Sequence, residues 1–148
     1  EVDMHWLRTD VVTLARRLLG SRLHRVSPDG SSLCSGIIVE TEAYLGVADT
    51  AAHSCGGKRT KRNASMHANM AGVCYMYTIY GMHLCLNITA DEREGPTAVL
   101  IRALQPDSDD ATLAFMNRNR NRPLTKAQRE RAASGSPPPP QTLPLQPP

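Results

Sequence analysis

The run Gly36-Ile37-Ile38-Val39-Glu40-Thr41-Glu42-Ala43-Tyr44-Leu45-Gly46 constrains the fold more than any other stretch. Its period of two places Ile37, Val39, Thr41, Ala43 and Leu45 on one face of a strand and Ile38, Glu40, Glu42 and Tyr44 on the other. The first face is apolar enough for a core. The second sets two carboxylates and a phenol in a row, successive members about 6.5–7 Å apart. Glutamate is disfavoured in strands, so two of them among β-branched neighbours require a reason. Two readings fit: the solvated outer face of an antiparallel sheet, or a general acid/base carboxylate beside an aromatic platform in a cleft.

The neighbouring segments supply the rest of a sheet and a helix. Val11, Val12, Leu14, Ala15, Leu18 and Leu19 recur at helical spacing, with Thr9 or Asp10 as the cap, Arg16 and Arg17 in the last turn and Gly20 as the stop. Residues 22–26 read as a strand. Ser27-Pro28-Asp29-Gly30 is a turn that joins it to the carboxylate strand as a hairpin. Residues 73–82 hold Tyr75, Tyr77 and Tyr80, three of the chain's four tyrosines, the fourth being Tyr44. Tyr75, Tyr77 and Ile79 share a face, and Gly81 predicts a bend that throws Tyr80 and Met82 outwards. Strands follow at 83–89, with Leu84, Leu86 and Ile88 inward, and at 98–104, where Arg102 stands alone among apolar residues. An arginine in such a run is expected to be buried and to meet either a carboxylate, Glu40 or Glu42 being the candidates, or an anionic ligand. The expected fold class is α+β, a single domain built on a curved antiparallel sheet with flanking helices.

Between the two strand groups, residues 46–71 have no regular period and carry Lys58, Arg59, Lys61 and Arg62 after two glycines. Loops of this length are functional or disordered, and the cations suit phosphate contacts or a solvated surface. A net charge of +3 permits a nucleic-acid partner without requiring one. The four cysteines form no CxxC pair and no metal-ligand spacing, so reduced thiols and no metal are expected. No apolar run approaches the ~20 residues of a membrane-spanning helix, and no signal peptide opens the chain. After Pro106 large apolar residues are sparse. Asn and Arg alternate over 117–122, a short polar helix is possible over 123–133, and residues 137–148 are half proline. Residues 1–106 are therefore expected to form the domain, with 107–148 a low-complexity, Pro-rich, mostly disordered tail.

Aromatic rings to sandwich a flat base, cations for phosphates and a carboxylate to activate water at a sugar carbon make one chemical set. The motifs Val39-Glu40-Thr41-Glu42-Ala43-Tyr44-Leu45-Gly46, Ala52-His53-Ser54, Arg62-Asn63, Tyr75-Met76-Tyr77-Thr78-Ile79-Tyr80-Gly81-Met82, Asn87-Ile88 and Leu100-Ile101-Arg102-Ala103-Leu104 closely resemble the alkyladenine (3-methyladenine) DNA glycosylase family. The resemblance covers residues 8–106 in unbroken order. It implies Glu42 as the general base for the attacking water and Arg102 as the residue that helps hold that water. It implies Tyr44, His53 and Tyr77 around a flipped base, with the His53 backbone reading its edge, and Asn87 as the group that disfavours normal guanine. Tyr80 would enter the minor groove with Met82 and His83 beside it, Glu40 would be structural, and Lys58, Arg59, Lys61 and Arg62 would contact phosphates. The implied partner is double-stranded DNA containing damaged purines, bound by a monomer in the nucleus or the bacterial cytoplasm, with no membrane and no cofactor.

The family continues past the arginine strand for several more elements, including a Gly-Pro-x-x-Leu segment. Ser134-Gly135-Ser136-Pro137 is a trace of it here, followed by prolines, which predicts a truncated or frame-shifted C-terminal part. The missing initiator methionine likewise predicts a trimmed N-terminus. Three functions therefore compete: an active glycosylase, a remnant that only binds DNA, and a glycoside hydrolase using Glu40 and Glu42 as its carboxylate pair. The last lacks the expected sugar-binding tryptophans, since the sole Trp6 is near the terminus.

Overall fold

The computed structural model describes residues 4–67, 71–90 and 95–120, together with Lys126, Glu130 and residues 145–146. Five strands, β1 (Arg22–Val26), β2 (Ser32–Tyr44), β3 (Cys74–Ile79), β4 (His83–Thr89) and β5 (Ala98–Pro106), pair antiparallel. The two-residue β6 (Leu145–Gln146) adds to β1, giving the order β3-β4-β5-β2-β1-β6. With helices α1 (Val11–Leu18) and α2 (Asp110–Arg120), this is the expected α+β domain on a curved antiparallel sheet.

Helix α1 begins where Asp10 accepts a hydrogen bond from the Thr13 amide at 2.8 Å, satisfying one of the orphan donors of the first turn. It ends at Leu19, which is extended, followed by Gly20 at φ 82°, the left-handed position that glycine fills without a steric penalty. Its buried face is Val11, Leu14, Ala15 and Leu18, which pack with Leu7, Leu23, Ile38, Ile88 and Val99 into the main core. The turn leaving α1 is laced to β2: Gly20 N–H donates to Ile38 O and Ile38 N–H to Ser21 O, both at 2.9 Å.

The expected alternation of β2 breaks at its centre. Ile38, assigned to the carboxylate face, is fully buried in the core, whereas Val39, assigned to the core, is 49% exposed and Leu45 is exposed too. The ladder with β5 is irregular between Ile38 and Thr41, so core-facing residues there lie three apart. Ile38 meets the core before the irregularity. After it, Ala43 does so, and the Thr41 hydroxyl donates to Ala15 O of α1 at 2.9 Å. On β5 the same step separates Ile101 from Leu104, both packed on the core. A local slip of one residue reverses the face of every following side chain, and here both strands slip together. Glu42 and Tyr44 consequently remain opposite α1.

At the other end of the sheet Leu84 is exposed rather than inward, because β4 projects beyond the core at its start. Helix α2 lies within the stretch read as a low-complexity tail. Asp109 caps it by accepting from the Thr112 amide at 2.7 Å, and the Arg25 guanidinium sits 5.6 Å from the Phe115 ring centroid. Of the polar helix expected over 123–133, only Lys126 and Glu130 are among the described residues. The four cysteines are free. Among the described residues no helix is long and apolar enough to cross a membrane.

Candidate active site

Register carries the site across four strands. Tyr75 pairs with Asn87, Asn87 with Leu100, and Leu100 with Glu42. Directly paired residues on antiparallel strands share a face, so these four form one row opposite α1. Three inter-strand spacings separate its ends, roughly 14 Å along a flat sheet. Leu100, buried between the polar members, is the floor.

At the Glu42 end, Arg102 holds two carboxylates. Its Nε donates to Glu40 Oε1 at 2.9 Å and its Nη1 to Glu42 Oε2 at 2.5 Å. The carboxylate partner expected for Arg102 is thus both candidates at once, but the arginine is not buried: its side chain is 46% exposed and that of Glu42 38%. An ion pair this open contributes little to stability. Its consequence is geometric, since it fixes the Glu42 carboxylate through Oε2. The doubly engaged guanidinium is held further towards its charged form by the hydrogen bonds it donates to Glu40 and Glu42.

At the Tyr75 end, Tyr44, Ala51, His53, Met66, Tyr75 and Tyr77 line a small recess that is open to solvent. The His53 ring meets Tyr77 edge-on at 4.6 Å and Tyr75 at 6.2 Å between centroids, and the two tyrosines lie 5.4 Å apart. Burial raises the pKa of all three tyrosines, so the recess is lined by neutral phenols. Burial, then the charge of Arg62, lowers the pKa of His53. Asn87, fully buried on the strand beside Tyr75, donates from Nδ2 to Tyr75 O at 3.1 Å, while its Oδ1 has no partner among the described residues and the side chain does not line the recess. An unpaired buried carbonyl costs on the order of 1–3 kcal/mol and repels another acceptor.

The remaining candidates lie around this centre. Tyr80 is at the β3–β4 turn with φ 51°, the single non-glycine at positive φ among the described residues, followed by Gly81 at 69°. Successive positive φ values suit a tight hairpin, and Met82 N–H closes it onto Ile79 O at 3.1 Å. Tyr80 is left 86% exposed and Met82 is exposed too, as the sequence pattern predicted, and His83 beside them is also exposed. Lys58, Arg59, Lys61 and Arg62 are all exposed on the loop that carries His53.

Two residues of this region escaped the sequence reading. Tyr75 was assigned only to a strand face, yet its hydroxyl meets His53 Nδ1 at 2.5 Å. Asn63 was quoted only as part of a motif, yet it is fully buried and closes the cationic loop. Its Nδ2 donates to His53 O at 3.0 Å and Lys58 O at 2.9 Å, and its Oδ1 accepts from Thr60 N at 2.8 Å and Thr60 Oγ1 at 3.1 Å. The Thr-x-x-Asn spacing was the available signal.

A sheet face that joins an arginine-held carboxylate to a slot of tyrosines and histidine belongs to a protein able to set an acid/base group beside a flat ring. Residues 5–138 match the profile of the methylpurine-DNA glycosylase family, and the chain belongs to that family. It is 44% identical over 107 residues to a Borrelia garinii protein named "Putative 3-methyladenine DNA glycosylase", covering 72% of this chain and 56% of the relative. It is 47% identical over 97 residues to a Clostridium perfringens protein of the same name, covering 66% and 46%. An Encephalitozoon cuniculi protein named "Probable DNA-3-methyladenine glycosylase" is 52% identical over 93 residues, covering 63% and 42%. The chain spans about half the length of these relatives.

Proposed function

We propose that this chain carries the base pocket and attack site of a base-excision DNA glycosylase for alkylated or deaminated purines, of the 3-methyladenine, 7-methylguanine, hypoxanthine or ethenoadenine type. The observation that carries the reading is the Glu42–Arg102 pair on the same sheet face as the aromatic recess. A damaged purine leaves the duplex at a cost of a few kcal/mol, less when it is weakly paired, and lies between Tyr44, His53 and Tyr77. Tyr80, with Met82 beside it, fills the gap in the stack, and Lys58, Arg59, Lys61 and Arg62 hold the backbone. The electron-rich faces of Tyr44 and Tyr77 favour a cationic alkylated base. The orphan Asn87 carbonyl on the strand beside Tyr75 is suited to a specificity role at the base edge.

Glu42 takes a proton from a water as that water's oxygen bonds to the anomeric carbon, and the N-glycosidic bond breaks with its electron pair leaving on the purine. Charge on the oxocarbenium-like transition state is offset by the Glu42 carboxylate, which Arg102 keeps oriented. None of the strands β1–β5 contains lysine, so the strands that carry Glu42 and Arg102 offer no Schiff-base nucleophile, and the product is an intact abasic strand. The protein acts as a monomer wherever the genome lies, in a nucleus or a bacterial cytoplasm.

Excess protein is incubated with a duplex carrying one hypoxanthine or ethenoadenine, and the strand is then cleaved with alkali. Cleavage only after alkali, and its loss in Glu42→Gln, is the expected result. A folded protein that binds duplex with strong salt dependence and leaves no abasic site would overturn the glycosylase reading in favour of DNA binding alone.

A further inference from the structure

One hydrogen bond in the recess has a chemical consequence beyond packing. Tyr75 is 3% exposed, and its hydroxyl lies 2.5 Å from His53 Nδ1. Burial raises the phenol's pKa, so it keeps its proton, while burial and Arg62 push His53 towards the neutral form. A neutral imidazole has one bare nitrogen and one N–H. Of the two arrangements, the phenol donating into bare Nδ1 matches the stronger acid to the stronger base. The single imidazole proton then resides on Nε2.

We propose that Tyr75 is a positioning residue that fixes the tautomer and orientation of His53, so that the ring offers an Nε2–H donor to its ligand. The edge contacts to Tyr77 and Tyr75 pack one side of the exposed ring and favour this orientation over the one with its nitrogens exchanged. A recess with this donor favours a ligand that presents an acceptor to His53, such as a ring nitrogen or carbonyl of a purine. An exocyclic amine in the same place would oppose N–H to N–H. This specificity rests on the glycosylase reading proposed above, but the tautomer does not.

The test is nitrogen-15 NMR of histidine-labelled protein, with His53→Gln to assign the signals and Tyr75→Phe as the perturbation. In the unsubstituted chain at neutral pH, His53 should show a pyridine-like Nδ1 and a pyrrole-like Nε2. Tyr75→Phe keeps the ring but removes the hydroxyl, and it should move His53 towards a mixed tautomer. Single-turnover excision of hypoxanthine should fall about tenfold, the size of one lost hydrogen bond, with duplex affinity unchanged. A protonated Nδ1 in the unsubstituted chain would overturn the proposal, as would an unchanged tautomer in Tyr75→Phe. The first result needs no variant to fold. Absence of excision alongside the expected spectrum would refute the glycosylase reading and leave the tautomer assignment standing.

Discussion

Replacing Asn63 with alanine removes a side chain whose amide closes the loop from His53 to Asn63 through four hydrogen bonds, to His53 O, Lys58 O and both donors of Thr60. Each contributes about 1 kcal/mol net, but Lys58 and Thr60 are exposed, so their groups regain water when Asn63 is gone. The expected loss is therefore about 2–3 kcal/mol rather than 4. Against a typical domain stability of roughly 5–15 kcal/mol, the sheet should survive while the loop opens. Urea denaturation should show a lower midpoint at unchanged slope, and hydrogen exchange should show the Thr60 amide losing protection before the strands. Duplex binding should weaken with it, since His53 and the four cations share that loop. A loss below about 0.5 kcal/mol with Thr60 still protected would refute the reasoning, because a surface substitution gives no more than that.

Other outcomes follow from the same geometry. Gly36→Ala should destabilise by about 1–3 kcal/mol in urea melts, because its Cβ would lie 2.7 Å from Gln105 O and 3.1 Å from Pro106 Cα, backbone atoms that cannot swing away. Tyr80→Ala should change stability by no more than about 0.5 kcal/mol, since the side chain is almost wholly exposed, yet should weaken excision from duplex more than from single strands. Glu40→Gln should retain measurable excision, because Arg102 keeps its bond to Glu42, whereas Arg102→Ala should lose most of it. His53 has a folded pKa below its ordinary 6.5, so the unfolded state binds more protons as pH falls through that value. Stability should accordingly decline on acidification below about pH 6.5, and His53→Gln should flatten that part of the profile.

Much of this molecule was legible because local chemistry and tertiary structure agree. The helical spacing from Val11, the Ser27–Gly30 turn and the Tyr80-Gly81 pair each specify an element through short-range sterics, and each is found where the pattern puts it. The face assignment of β2 failed at Ile38 and Val39 because the irregularity arises from pairing with β5, more than 60 residues away, which alternation along one strand cannot report. Arg102 was expected to be buried on the strength of its apolar neighbours. It lies in the open because it follows Leu100 on the carboxylate face, which no helix among the described residues covers there. Helix α2 was missed since its apolar residues are too few for a strong stripe, and its Asp109 cap is a signal only once the helix is suspected. Asn63 and Tyr75 were overlooked for a shared reason: their partners are backbone carbonyls and a ring nitrogen brought together by loop closure.

We propose that Glu42, held by Arg102 beside the aromatic recess, is the group that activates water. Its most direct test pairs two readings on one Glu42→Gln protein: affinity for a hypoxanthine duplex and single-turnover release of the free base. The account predicts duplex affinity within a few-fold of the unsubstituted chain and base release lost by at least the 10²–10⁴-fold of a general base. Base release at the unsubstituted rate, with affinity intact, would contradict it and move the chemistry to another group.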